Sequence, residues 1–167
     1  MKTKYYTGVG SRETPENIRS IINKLSLKLQ EEGYVLRSGG ADGADSFFEE
    51  KVVLKDIFIP WNDFNKVVHG IIPLETKFSH DILKEIHPAY DKLSQGAVKL
   101  HLRNVNQVLG ENLDSPSSFL VCWAPVDKNN IPKGGTRTAW LVAKKYNIPC
   151  FNLFLKEDLI RIEKYIK

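Results

Sequence analysis

The chain has 167 residues, the length of one ordinary domain, and 42% of them are hydrophobic and 26% charged. These values are close to globular averages and exclude a disordered, collagen-like or coiled-coil chain. No apolar run approaches the ~20 residues of a membrane span, and the first residues lack the apolar core of a signal peptide. We therefore expect a cytoplasmic protein without membrane association, folded as a single domain over residues 1–167.

The charge balance and the cysteines add weaker information. Lys and Arg total 24 against 20 Asp and Glu, a net charge of +4, which favours anionic ligands only mildly and equally fits a solubilising surface. Cys122 and Cys150 both lie in apolar runs. They are interpreted as buried reduced thiols, with a disulfide as the less favoured alternative.

Short runs of β-type residues alternate with segments of helical periodicity. Strands are predicted at residues 4–8, 34–38, 56–60, 118–123 and 150–154. Helices are predicted at residues 14–33, 44–52, 98–109, 139–146 and 157–166. In the first of these, Thr14 is expected to cap the helix and Pro15 to occupy its first position. Residues 61–95 break the rhythm and are predicted to be an insertion over one edge of the sheet, which could act as a lid.

This alternation predicts an α/β fold with right-handed crossovers and a mostly parallel five-stranded sheet of order 3-2-1-4-5. In such a sheet, ligands bind beyond the carboxyl ends of the strands. The aliphatic side chains of the helix at residues 96–110 are a candidate contact face for a homo-oligomer.

Three glycine-bearing loops follow predicted strands. They contain Gly8, Gly10, Ser11 and Arg12 in the first loop, Ser38, Gly39, Gly40, Asp42 and Asp45 in the second, and Gly134, Gly135, Thr136 and Arg137 in the third. Glycines let the backbone approach an anion, and the amides at a helix N-terminus favour it. Each loop alone is equally explained by turn geometry. Together they predict a phosphate site, although none is a P-loop or a complete dinucleotide fingerprint.

These loops resemble the SLOG superfamily of Rossmann-like proteins. The likeness lies in SGGADGAD at residues 38–45 and GGTRTAWLVAKKYNIP at residues 134–149, and it is strongest to DNA-processing protein A and small phage or bacterial relatives. The segment GVGSR and the pair Arg103-Asn104, similar to an Arg-Asn signature on the middle helix, extend it outside the insertion. The resemblance implies a Rossmann-like sheet, a bound nucleotide or nucleic-acid phosphate, and a dimer or higher homo-oligomer.

One departure from the superfamily concerns catalysis. Its phosphoribohydrolases carry a glutamate in PGGxGTxxE, and the alignment places Ala139 at that position. The leading hypothesis is therefore binding of a nucleotide or nucleotide-derived small molecule. An N-glycosidase using Glu13 or Asp42 and a single-stranded DNA binder are the alternatives. The DNA binder would need a basic face, for which Lys24 and Lys28 share one side of the first helix and Lys144 and Lys145 lie on the last helix pair.

Several further side chains are candidates for the same site. Trp61 and Trp123 follow predicted strands and could stack on a base, or they could close the core. Asp42 and Asp45 could accept from a ribose or hold Mg²⁺ between phosphates, or they could cap the next helix. The histidines show no metal-ligand spacing, so no protein-bound metal is predicted.

Overall fold

The computed structural model describes residues 2–167 and contains one five-stranded parallel sheet in the order β3-β2-β1-β4-β5. The strands are β1 (Lys4–Gly10), β2 (Tyr34–Ser38), β3 (Lys55–Ile57), β4 (Leu120–Trp123) and β5 (Cys150–Asn152). The predicted α/β Rossmann-like fold and strand order are confirmed. Strand β1 continues past Gly8 because Gly8 and Gly10 pair with Val121 and Trp123.

Six α-helices cover the two faces of the sheet. They are α1 (Glu16–Glu31), α2 (Ala44–Glu49), α3 (Lys77–Ile86), α4 (Gln95–Leu109), α5 (Thr136–Lys145) and α6 (Lys156–Ile166). The expected cap of α1 is wrong by one position, because Pro15 is the N-cap and the Thr14 hydroxyl donates to the Ser11 carbonyl at 2.6 Å. Among residues 2–167, no helix combines the length and apolar character needed to cross a bilayer.

The core has two halves because successive side chains of a strand point to opposite faces of the sheet. On one face, Tyr6 and Val121 pack with apolar residues of α1, α2 and α6. On the other, Val9 and Cys122 pack with apolar residues of α3, α4 and α5. Cys122 is buried, Cys150 is half-buried, and both are free thiols.

The proposed oligomer face on α4 is contradicted by this packing. Its aliphatic residues Leu102, Val105, Val108 and Leu109 are at most 3% exposed, because they pack inside the chain against the sheet and neighbouring helices. The apolar stripe of α4 therefore belongs to the core, and it is not available to a second copy.

The insertion at residues 61–95 is packed onto the domain at both of its ends. Near its start, the Ile59 amide donates to the Ile71 carbonyl at 2.8 Å and the Ile71 amide to the Ile57 carbonyl at 2.7 Å. The backbone after β3 therefore pairs with the insertion, and regular β3 ends at Ile57 rather than at residue 60. Near its end, Ile82 and Leu83 of α3 are buried where that helix packs on α4 and α5.

Candidate functional site

A cavity of about 840 Å³ opens at the carboxyl edge of the sheet, beyond the ends of β1, β2 and β4. It is bordered by the first and third glycine loops, by the start of α2 and by one face of α4. Carboxyl-edge crevices are where open α/β sheets bind their ligands.

The first loop is fixed by its own backbone contacts. A side chain at Gly10 would lie 2.5 Å from the Trp123 carbonyl oxygen, so only glycine fits there. The Ser11 carbonyl accepts from the Ala44 amide at 3.2 Å, and the Ser11 hydroxyl accepts from the Glu13 amide at 3.0 Å. This arrangement leaves Arg12 and Glu13 exposed at the edge of the cavity. Gly8 lies inside β1 instead, against the ring of Phe48.

The glycines of the second loop are required by packing. The Ser38 hydroxyl donates to the Gly8 carbonyl at 2.6 Å, which ties β2 to β1. An added side chain at Gly39 would overlap Arg103 and Gln107, and Gly40 has a φ of +69°. Ser38, Gly39 and Gly40 are buried and do not border the cavity. From this loop, Ala41 and Asp45 reach it.

Asp45 is a buried carboxylate that connects the first two loops. Its two oxygens accept hydrogen bonds from the amides of Gly10 at 3.2 Å and Ala41 at 3.3 Å. Burial raises the pKa of Asp45 to about 6, although the nearby Arg103 charge and the backbone amides act in the opposite direction. Because both carboxylate oxygens accept hydrogen bonds from backbone amides, Asp45 holds the first two loops together.

Arg103 on α4 is also buried, at 6% exposure. Its guanidinium donates to the carbonyls of Gly39 at 2.5 Å and Phe58 at 3.3 Å, so it joins α4 to the second loop and to the chain after β3. Burial lowers the pKa of Arg103, and Asp45 counteracts this effect. Arg103 borders the cavity as a positively charged group whose position is fixed by backbone acceptors.

The third loop brings free amides to the cavity. Gly134 has a φ of +69°, and Gly135 precedes α5 without a side-chain cap. The amides of Arg137 and Thr138 donate to the carbonyls of Gly134 and Gly135. The amides of Gly134, Gly135 and Thr136 have no acceptor among residues 2–167. Asn104 of α4 orients this loop, because its side-chain amide donates to the Gly135 carbonyl at 3.1 Å.

Three residues that sequence reasoning missed complete the opposite wall. His101 and Gln107 lie on α4, and His87 follows α3 at the end of the insertion. His101 stands three residues before Asn104 and Gln107 three residues after it, so helical spacing from Asn104 could have found both. No local pattern indicates His87, which enters the site only through tertiary packing.

The remaining predicted residues lie outside the cavity. Asp42 accepts a hydrogen bond from the Asn65 side chain at 3.0 Å, and Arg137 forms an ion pair with Asp127 at 3.0 Å. Trp61 packs edge-on against Phe64, and Trp123 packs edge-on against Phe154. The structure therefore brings together Gly10, Ser11, Arg12, Glu13, Asp45, Arg103, Asn104, Gly134, Gly135 and Thr136.

No family model and no curated protein sequence matches the chain. Among solved structures, it is similar to DNA processing protein A from Helicobacter pylori, a protein described as having a unique single-stranded DNA binding mode. The TM-score is 0.60 and the identity 17%, over 98% of this chain and 79% of that protein. A likeness at this identity shows a shared fold.

Proposed function

We propose that this protein binds a nucleotide or nucleotide-derived ligand in the cavity, with a phosphate group at the N-terminus of α5. This proposal rests on the backbone amides of Gly134, Gly135 and Thr136 at the start of this ten-residue helix, which have no hydrogen-bond acceptor among residues 2–167. Free amides and the helix dipole together favour an anion.

Gln107 of α4 adds a neutral polar group to the same cavity. The residue is only 2% exposed and borders the cavity. Its side-chain amide carries both donors and an acceptor for a polar ligand.

The charges around the cavity favour an anionic ligand. Arg12 and Lys133 are exposed at its edge, and neither forms an ion pair with another described residue. Arg103 adds a buried positive charge, whereas Glu13 and Asp45 are the carboxylates. The volume of about 840 Å³ is in the range of pockets for small molecules, about 300–1,000 Å³.

The contact between Asn104 and Gly135 supports membership of the SLOG superfamily. The Arg-Asn pair and the third loop are separated by 31 residues in sequence and are joined here by one hydrogen bond. A motif that carries the resemblance and one that extends it are thus in contact at the cavity. We infer binding rather than hydrolysis, because Ala139 borders the cavity where the superfamily's hydrolases carry glutamate.

Isothermal titration calorimetry with nucleoside mono-, di- and triphosphates tests this proposal. We expect wild-type protein to bind at least one of them, and Lys133→Ala and Arg12→Ala each to weaken binding several-fold. Lys24→Ala is the matched control, because Lys24 is an exposed cation of α1 outside the cavity. Absence of binding to every nucleotide would refute the proposal.

Single-stranded DNA binding is the second candidate function, favoured by the fold shared with the Helicobacter pylori protein. This function predicts a salt-dependent mobility shift of a labelled oligonucleotide. Lys24→Ala should weaken oligonucleotide binding as much as Lys133→Ala does. Oligonucleotide binding without nucleotide binding would replace the first proposal by the second.

A further inference from the structure

His87 and His101 form an imidazole pair on the wall of the cavity. Their ring centroids are 4.7 Å apart and the rings meet at 66°. Both are half-buried, and both border the same cavity as the free amides of Gly134 and Gly135. Neither residue belongs to the apolar core clusters, and neither is among the residues that the glycine-loop motifs indicate.

The two rings have different hydrogen-bond partners. The Nδ1 atom of His87 accepts from the Ala89 amide at 3.3 Å. The Nδ1 atom of His101 lies 2.7 Å from the Thr138 hydroxyl, which can donate to it or accept from it. His101 can therefore gain a proton and keep its partner.

The Thr138 contact also places His101 beside the proposed phosphate site. Thr138 lies in the first turn of α5, directly after the residues that present the free amides. Asn104, one helical turn from His101 on α4, bonds to Gly135 at the start of the same helix. One face of α4 therefore lies against the N-terminus of α5.

We infer that His101 is a proton-linked part of the anion site: it takes up a proton when a phosphate or other oxyanion binds, while His87 beside it is a second polar contact for the ligand. The assignment rests on the proposed function, because it gives the protonation behaviour of that same site. The ligand group it fits is an oxyanion with two negative charges, which a cationic imidazole stabilises more than a monoanion.

The surroundings of His101 disfavour its charged form. Burial lowers the pKa of His101, and the neighbouring His87 and Arg103 lower it further. An anion within about 4–6 Å acts in the opposite direction and raises such a pKa by about 1–3 units. His101 thus has a lower pKa without the anion than with it. At pH values between these two, anion binding is expected to take up a proton, and the affinity should rise as the pH falls.

Other charged groups near the pair are either paired with a neighbour or share the cavity. On α3, Glu85 is paired with Lys145 of α5 at 2.6 Å, and His80 is bonded to Tyr90 at 2.6 Å. The charges that share the cavity are Arg12, Glu13, Asp45, Arg103 and Lys133. Of these, Asp45 has a pKa of about 6 and loses its charge over the same pH range, which also favours an anion in acid. Variants of the histidines therefore decide the assignment.

Calorimetry with inorganic sulfate and with AMP between about pH 8 and about pH 6 provides the test. Sulfate remains a dianion throughout this range, so any change in its affinity comes from the protein. We expect wild-type affinity for sulfate to rise about tenfold or more toward the acid end, with proton uptake measured from buffers of different ionisation enthalpy.

The variants separate the two rings. His101→Asn should remove most of the pH dependence and of the proton uptake, whereas His87→Asn should weaken binding at every pH and keep the dependence. His69→Asn is the matched control, because His69 is exposed outside the cavity and its φ of +63° suits asparagine. Proton NMR titration of the wild type measures the pKa of His101 without any substitution. Sulfate should raise this pKa by about one unit or more.

The possible failures are distinguishable. Anion binding whose pH dependence survives in His101→Asn, or an NMR pKa that sulfate leaves unchanged, would overturn the assignment and leave the proposed function standing. Absence of both sulfate and AMP binding at every pH, with wild-type folding verified, would overturn the assignment and count against the proposed function as well.

Discussion

Replacement of Gly135 by alanine should separate ligand binding from folding. The backbone at Gly135 already has helical angles, φ −62° and ψ −30°, so alanine requires no conformational change. An added Cβ would meet only the Asn104 amide nitrogen, at 3.9 Å. Under these conditions a Gly→Ala change stabilises a protein by about 0.4–1 kcal/mol, because it restricts the unfolded chain. For a domain of this size, the melting temperature should rise by about 1–4 °C.

Ligand binding should change in the opposite direction. The new methyl group would stand where an anion approaches the amides of Gly135 and Thr136. A hydrogen bond to a charged group contributes about 1.5–3 kcal/mol, so loss of two costs about 3–6 kcal/mol. That cost corresponds to an affinity at least about 100-fold lower. Gly135→Val places a larger side chain at the same point and should be at least as severe.

Calorimetry with the tightest-binding nucleotide and thermal unfolding of the same samples measure both effects. Gly96→Ala is the matched control, because Gly96 lies in α4 outside the cavity and has nothing within 4 Å of an added Cβ. It should share any stabilisation and retain full affinity. If Gly135→Ala bound nucleotide as tightly as the wild type and remained folded, the third loop would not be the phosphate site.

Three further predictions concern stability, chemistry and assembly. Because the folded chain holds the Asp45 proton at a pKa of about 6 against about 3.9 when unfolded, the folded state binds more protons in that interval. This group should therefore lower the free energy of unfolding by about 2 kcal/mol as the pH rises from about 4 to about 6, and by about 3 kcal/mol over the whole titration. Denaturant unfolding at several pH values should show a smaller decrease in Asp45→Asn than in the wild type. An equal decrease in both proteins would contradict this prediction. Nucleotide incubated with wild-type protein should be recovered intact; base release that Glu13→Gln abolishes while binding persists would establish the glycosidase alternative instead. Light scattering should give the mass of a dimer or larger oligomer at micromolar concentration, built on a surface other than α4, and a monomer mass would refute this.

The fold was predictable because its signals are local. The apolar run at 118–123 indicates a strand buried on both faces, and the strand beginning at Leu120 lies in the middle of the sheet between β1 and β5. Alternation of strands with helical stripes restricts the crossovers to one hand, which leaves few strand orders. Each of these inferences depends on residues that are neighbours in sequence.

The location of the cavity was also predictable, since parallel strands place their carboxyl ends at one edge. Membership of the site was predictable only in part. Gly39 and Gly40 look like anion-binding glycines, yet their space is filled by Arg103, Gln107 and Val67 from elsewhere in the chain. Arg137 follows the third loop as a phosphate ligand should, yet it pairs with Asp127, ten residues earlier.

Tertiary packing decided which polar groups meet. Arg103 reaches a carbonyl 64 residues away, and His87 of the insertion joins His101 only because α3 packs on α4. Sequence periodicity determines which face of an element is apolar, because burial repeats with the geometry of the helix or strand. The partner of a buried polar side chain depends instead on distant segments that fold against it, and hydrogen bonds require that placement to within a few tenths of an ångström.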